Sequence, residues 1–346
     1  MKRTVIVRDL PIGGGNRVTV QSMTNTLTKD INATVIQIKE LEAAGCDIVR
    51  VSVPDIDSAT ALNSIIENVS IPVVADIHYD YRLAVKAVES GAHKIRINPG
   101  NIGGKEKIGY LARYLMERKI PIRIGVNSGS VEKDILTKYG NTSKALVESA
   151  LYNIGLLESA GFYDIIVSVK SSSVPYMIEA YRELDRRSDY PLHLGVTEAG
   201  YDDAGLIKSS VGLGVLLYQG IGDTIRVSLS GNPVREVYAA RRILQSLGIS
   251  ETLPEIISCP TCARTNIEVE RLAGEIDKHL RAKNLNIKVA VMGCVVNGPG
   301  EAAECDIGVA GGREKSAIFI KGKVISTVDN DRVLDELLTI IEKTYG

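Results

Sequence analysis

The amino-acid sequence predicts an α/β protein, with a (β/α)8 TIM barrel over residues 1–248 and a small α/β domain over residues 249–346. Three observations predict it. Along the first 245 residues one unit recurs, a short β-branched run, a polar or glycine turn and an amphipathic helical stretch. Eight such units in roughly 250 residues match a closed parallel barrel. No Gly-x-Gly-x-x-Gly turn follows the first run, where an open doubly wound sheet would place a dinucleotide site. Past Gly248 the rhythm changes, which marks a second domain.

Ahead of the repeat, Thr4–Val7 and the Gly13-Gly14-Gly15 turn read as a hairpin able to plug the barrel floor. The eight strands are expected at residues 18–23, 48–53, 71–77, 94–98, 121–126, 164–169, 191–197 and 223–228, with helices after each, for example over 30–44 and 80–90. The stretch 127–143 is longer than the other connections and, with Gly129, Gly140 and Asn141, reads as a loop that could act as a lid. The second domain reads as a strand, a helix over 266–283, a strand over 287–292, strands near 306–309 and 317–328, and a closing helix over 332–343. Its Lys321-Gly322-Lys323 turn fits a hairpin.

The 346 residues carry 41 Lys plus Arg against 42 Asp plus Glu, a net charge of −1, so the chain is no polybasic coat for nucleic acid. The most apolar stretch, residues 211–217, is short and broken by Gly212 and Gly214, so no membrane span is expected. Arg8 and Asp9 stand where a signal peptide needs its apolar core, which predicts a cytoplasmic location. Five cysteines, four of them in the last 90 residues, are a poor disulfide framework and read as a local thiol site in a reduced compartment.

Barrel enzymes place their chemistry where strands run into the loops at their C-terminal ends. Side chains two apart on a strand share a face. The polar pairs at these ends are Arg50 and Ser52, Asp76 and His78, Arg96 and Asn98, Ser168 and Lys170, and Arg226 and Ser228. Arg123 and Asn127 flank Gly125 with the same parity, and Glu198 closes the seventh strand. Residues of opposite parity, such as Val49 and Val51, would pack on the helices. Arg50, Arg96, Arg123, Lys170 and Arg226 would then bring five cations to one cavity, which is costly without an anionic partner. A phosphorylated or diphosphate ligand supplies it, with guanidinium forks matching phosphate oxygens and Ser228 adding a hydroxyl donor. The competing reading pairs each arginine with a nearby carboxylate, and it is weaker for all five than for any one. His78 is a ligand-facing candidate, whereas His93 at a strand start reads as structural.

Ser258-Cys259-Pro260-Thr261-Cys262 opens the second domain, and Cys294 follows in Met292-Gly293-Cys294-Val295-Val296-Asn297-Gly298-Pro299-Gly300-Glu301. Three chemistries compete: a thioredoxin-like redox pair, structural zinc on four thiolates including Cys294 and Cys305, and an iron–sulfur cluster. The turn 297–301 could return the Glu301 carboxylate toward the thiols, which shifts the balance to a cluster with three thiolates and one weaker oxygen ligand. Cys305 is the rival fourth ligand, and Cys46 reads as a buried apolar residue.

Together these motifs carry a resemblance. Cys-Pro-Thr-Cys followed by Gly-Cys-Val-Val-Asn-Gly-Pro-Gly-Glu, with Val-Arg-Val-Ser-Val-Pro, Ala-Asp-Ile-His and Ile-Arg-Ile-Asn-Pro-Gly upstream, closely resembles the 4-hydroxy-3-methylbut-2-en-1-yl diphosphate synthase family over essentially the whole chain. These are iron–sulfur oxidoreductases of the non-mevalonate isoprenoid pathway, and the length corresponds to their two-domain bacterial form. The resemblance implies a [4Fe-4S] cluster on Cys259, Cys262, Cys294 and Glu301, with Cys305 outside the ligand set. It implies 2-C-methyl-D-erythritol 2,4-cyclodiphosphate in the barrel mouth, its diphosphate on Arg50, His78, Arg96, Arg123, Lys170 and Ser228. Asp76, Asn127 and Glu198 would face the carbon skeleton and its hydroxyls, and with Glu301 they are the catalytic candidates; Arg226 receives no role. The implied reaction is a two-electron reductive ring opening with loss of water, fed by flavodoxin or ferredoxin.

The link over 248–254 is short and leaves the last barrel helix at the floor, roughly 30 Å from the mouth. A head-to-tail homodimer, in which one subunit's cluster domain caps the other's barrel, bridges that distance, and the family is known for it. Two other classes compete with this reading: a zinc-stabilised barrel aldolase or phosphosugar isomerase, and a non-catalytic sensor of a phosphate ligand.

Overall fold

In the computed structural model, which describes residues 2–98, 102, 104–250, 253–296 and 304–346, the chain opens with a hairpin. Strands β1 (Thr4–Val7) and β2 (Leu10–Gly13) pair antiparallel, and Val5, Val7 and Ile12 pack on Ile48, Val74 and Ile166. Those three sit at the starts of barrel strands and share the inward parity of Arg50, Asp76 and Ser168. The hairpin therefore closes the floor, and the polar residues two positions on point into the interior toward the opposite end.

The barrel strands are β3 (Thr19–Met23), β4 (Ile48–Val53), β5 (Val73–Ile77), β6 (Lys94–Ile97), β7 (Ile122–Asn127), β8 (Ile165–Lys170), β9 (His193–Leu194) and β10 (Thr224–Ile225). They form one parallel sheet in the order β8-β7-β6-β5-β4-β3-β10-β9, and a bridge from Val167 to Leu192 joins β8 to β9. Outside it run α1 (Ile31–Ala43), α2 (Ile56–Glu67), α3 (Tyr81–Glu89), α4 (Gly104–Arg118), α5 (Lys133–Tyr139), α6 (Ser143–Glu158), α7 (Val174–Arg187), α8 (Asp202–Tyr218) and α9 (Pro233–Ser246). Side chains of Asp30, Asp55 and Asp80 accept backbone N–H groups at the first turns of α1, α2 and α3, which starts each helix at its sequence signal. The apolar stretch 211–217 lies in α8, and among the described residues no helix is long and apolar enough to cross a membrane.

Two expectations change. The stretch 127–143 is not an open loop: a 3-10 turn (Ser128–Ser130) and α5 occupy it, and Ile135, Leu136 and Tyr139 pack on the barrel core. Their burial anchors the segment that was expected to be a free lid. Strands β9 and β10 are only two residues long, against seven and six expected. The regular ladder stops where Gly195 makes room: a Cβ there would lie 2.5 Å from Lys170 Nζ and 2.8 Å from the Arg226 carbonyl oxygen.

The chain divides into two compact units, Met1–Ile249 and Ser250–Gly346. The second is a five-stranded sheet of β11 (Glu255–Ser258), β12 (Lys288–Met292), β13 (Ile307–Ala310), β14 (Lys315–Ile320) and β15 (Lys323–Asp329), in that order. Strands β11 to β13 run parallel, and β13 to β15 antiparallel. Helices α10 (Val269–Ala282) and α11 (Val333–Tyr345) bury Leu272, Ile276, Leu280, Leu337 and Ile341 against Val289, Val291 and Val309. Lys321 and Gly322, at φ 47° and 75°, make the β14–β15 turn.

Candidate active site

At the mouth, Asp76 is the hub. Its Oδ1 accepts from Arg96 Nη1 at 3.0 Å, while Arg50 Nε stands 3.6 Å and His78 Nε2 3.4 Å from its Oδ2. Burial opposes the charge of Asp76, but Arg50, the His78 hydrogen bond and Arg96 outweigh it and hold the carboxyl well below the usual range. Arg50 also directs Nε and Nη2 at Met23 Sδ, at 3.1 and 2.8 Å, and burial brings its pKa down to about 10. Gly125 is the space that admits Arg96, since a Cβ there would lie 2.8 Å from Arg96 Nε.

Arg123 is 1% exposed, and among the described residues its Nε and Nη1 have no hydrogen-bond partner. Burial, then Arg50 and Arg96, push its pKa well below the normal guanidinium range. Lys170, in register with Asn127, is pushed down by burial and then by Arg123 and Arg226. Asn127 is half-buried, and its backbone N–H and carbonyl both bond Ser130 Oγ at 3.0 Å. Ser228 is half-buried beyond β10; Glu198 is exposed beyond β9, held at φ 50°, a left-handed conformation that non-glycine residues rarely take.

Arg226 is not one of a ring of uncompensated cations. Its Nε and Nη2 donate to Glu236 of α9 at 3.2 and 3.4 Å, so for this arginine the barrel-end ion pair prevails. Glu236, 3% exposed, also accepts from Ser22 Oγ and the Leu229 N–H. It stands ten residues beyond Arg226, with Pro233 opening its helix, and α9's buried face was the available signal. The ledger at this end is therefore five cations against two buried carboxylates, with Arg123 and Lys170 outside the acid pairs among the described residues. His93 is structural: its Nδ1 accepts the Val73 N–H at 3.0 Å, and burial lowers its pKa.

The Asp76 geometry predicts a stability effect. A depressed folded pKa contributes stability that is complete above about pH 4, the unfolded value, and is lost only as pH falls through the lower folded one. Asp76→Asn is expected to cost about 3–5 kcal/mol at pH 7 by leaving Arg50 and Arg96 uncompensated. Urea unfolding at pH 7 should show that loss, the gap to the parent narrowing only below about pH 4; a cost under about 1 kcal/mol would remove Asp76 as the hub.

In the second unit, Cys259 follows β11 and Cys294 follows β12, so both lie at the C-terminal edge of a parallel pair. Cys259 Sγ accepts the Gly293 N–H at 3.1 Å. The backbone N–H of Arg264, then its guanidinium, lower the pKa of exposed Cys262, and Arg264 also faces Cys294. Thiols with N–H donors and a cation beside them are suited to bind as thiolates. Cys305 precedes β13, at the opposite edge of the same parallel set, buried with its pKa raised chiefly by burial. Cys46 is buried as well, its thiol pushed up to about 12 by burial. Among the described residues no three His, Cys, Asp or Glu side chains converge as a single-ion site. Glu301, with the turn 297–301 that carries it, lies outside the described residues. The donor set that is described, three available thiols of which two share one sheet edge, fits a thiolate-ligated iron–sulfur cluster.

Fold and site define a parallel-barrel protein with a cationic interior, joined to a cysteine-bearing α/β unit. Residues 2–241 match the GcpE TIM-barrel domain family, and residues 255–343 the GcpE protein C-terminal domain. The chain belongs to the GcpE family. It is 56% identical over 341 residues to 4-hydroxy-3-methylbut-2-en-1-yl diphosphate synthase (flavodoxin) of Clostridium acetobutylicum, covering 98% of each chain. The protein so named from Caldanaerobacter subterraneus is 56% identical, with 99% of this chain and 97% of the relative covered. Among solved structures, dihydropteroate synthase of Yersinia pestis superposes with a TM-score of 0.53 at 12% identity, over 72% of this chain and 98% of that one. That likeness shows the barrel fold alone.

Proposed function

We propose that the chain catalyses reductive ring opening of 2-C-methyl-D-erythritol 2,4-cyclodiphosphate to (E)-4-hydroxy-3-methylbut-2-enyl diphosphate, with flavodoxin or ferredoxin as electron donor. The observation that carries the reading is the surplus of buried positive charge at the mouth. Written with neutral phosphates, two electrons and two protons enter, one carbon–oxygen bond to phosphate breaks, and one hydroxyl leaves as water. Arg123, Lys170 and the remaining N–H groups of Arg50 and Arg96 hold the diphosphate, with His78 and Ser228, and stabilise charge on the departing phosphate oxygen. Asp76 keeps its own charge and orients both guanidinium groups. Glu198, on its strained turn at the strand end, offers a carboxylate to carry a proton to the leaving hydroxyl, with Asn127 as its polar neighbour on the substrate.

We assign the cluster ligands as Cys259, Cys262, Cys294 and Glu301. When bound, a [4Fe-4S] cluster supplies one-electron transfers. Anaerobically purified protein should be brown and, with reduced flavodoxin, should convert the cyclic diphosphate to the linear product with two electrons consumed per turnover. Brown, cluster-loaded protein that turns over none of it would overturn the reading, and colourless protein with stoichiometric zinc would overturn the cluster.

The reading extends to a head-to-tail homodimer. Its support within the barrel unit is that Ile249, where that unit ends, lines a floor cleft with Lys2, Asn16 and Asp223, at the end opposite the mouth. Sedimentation should report a dimer under turnover conditions; a strictly monomeric, fully active enzyme would defeat it.

A further inference from the structure

Parallel barrels usually fill their interior with layers of Val, Ile and Leu. Here the floor does so through Ile48, Val74 and Ile166, but the positions above it are polar. Thr19, His193 and Thr224 stand in register across β3, β9 and β10, all fully buried, with Gln21 next along β3. Lys94, also fully buried, lies two residues before Arg96 on the same inward face, and Arg96 is in register with Arg123. Strand spacing puts the Cα atoms of Lys94 and Arg123 about 8 Å apart.

Among the described residues, Lys94 Nζ, His193 Nε2, both amide atoms of Gln21, Thr19 Oγ1, and Nε and Nη1 of Arg123 have no hydrogen-bond partner. Native interiors satisfy nearly all such groups, so this concentration in one interior calls for an occupant. Water would satisfy the hydrogen bonds but leave Lys94 without countercharge and Arg123 with only a share of Asp76, which Arg50 and Arg96 also draw on, and that is costly in a buried site. An anion does both.

We propose that the tier beneath the mouth is an anion-binding site, in which Lys94 and Arg123, flanked by Gln21 and His193, hold a free halide or a phosphate oxygen of the ligand bound above. It stands on the unpartnered groups, whatever substrate the mouth takes. The charges facing Lys94 are all positive, Arg123 on β7 and Arg50 on β4; His193 faces Arg123, Lys170, Lys94 and Arg50. Burial and these cations push both groups well below their ordinary pKa values, and a bound anion would act in the opposite direction on Lys94 by favouring its charged form.

Bromide soaked into crystals of the full-length protein tests it through anomalous scattering. The expected result is a peak beneath the mouth, about 3–3.5 Å from Lys94 Nζ and the Arg123 guanidinium, that vanishes in Lys94→Met, a substitution close in volume. A second soak with the cyclic diphosphate separates the sources: a displaced peak assigns the site to a phosphate oxygen, a persisting peak to a free anion, and either supports it. No peak beneath the mouth in the parent protein, or an unchanged peak in Lys94→Met, overturns the proposal. The parent measurement decides the matter even where the variant does not fold.

Discussion

Arg123→Met should weaken binding of the cyclic diphosphate by about a hundredfold, the upper range for loss of a charged hydrogen-bonding partner. The reason is the contrast between Arg123 and its neighbours. Arg50 and Arg96 share Asp76, and Arg226 has Glu236, whereas Arg123 is buried with two nitrogen groups unpartnered among the described residues. In the free protein that cation is a liability, so an apolar replacement of similar length should leave the melting temperature unchanged or raise it. Calorimetric titration and thermal unfolding read the two effects separately. Lower affinity with undiminished stability identifies a ligand-binding arginine, and unaltered affinity removes Arg123 from the binding set. Asp76→Asn should do the reverse to stability, because it strips the shared counter-ion from two buried guanidinium groups.

Cys259→Ala should abolish the brown colour and reduce turnover to background, with binding of the cyclic diphosphate to the barrel nearly unchanged. Its thiol accepts the Gly293 N–H beside Cys294, so its removal takes away one of the proposed ligands at the sheet edge the two cysteines share. Glu301→Ala should likewise abolish turnover while largely sparing affinity, and unchanged turnover would refute its role. Cys305→Ala is the control. That residue lies at the opposite edge of the parallel strands, so the variant should keep its colour and activity. Visible spectra of anaerobic protein with single-turnover assays check all three, and a colourless Cys305→Ala variant would place Cys305 among the ligands.

Much of the mouth was legible in the linear chain because strands obey a period of two. Once residues 48–53 read as a strand, Arg50 had to share a face with Ile48, and the hairpin packed on Ile48, Val74 and Ile166 fixes that face as inward. Helix starts were equally legible at Asp30 and Asp80, whose side chains bond the first turn. Other features were hidden by distance along the chain or by an incomplete reading. Lys94 shares the parity of Arg96 but stands at a strand start, and it is the closed barrel that buries it fully. The helix Lys133–Tyr139 was signalled by Ile135, Leu136 and Tyr139, but glycines at 129 and 140 made the segment read as a loop.

By itself the sequence determined most of the order of strands and helices, the parity that gathers basic side chains at strand ends, and a cysteine spacing that admits a redox pair, zinc or an iron–sulfur cluster. These follow from local rules of backbone geometry and ligand chemistry, which act over a few residues. Only the tertiary structure decided which charges cancel. Arg226 meets Glu236, Arg50 and Arg96 meet Asp76, and Arg123 and Lys94 lack a hydrogen-bonding partner at the nitrogens named above among the described residues. Pairing of that kind depends on distance and burial after the barrel closes, because a charge screened in the unfolded chain becomes expensive or useful only once water is excluded around it.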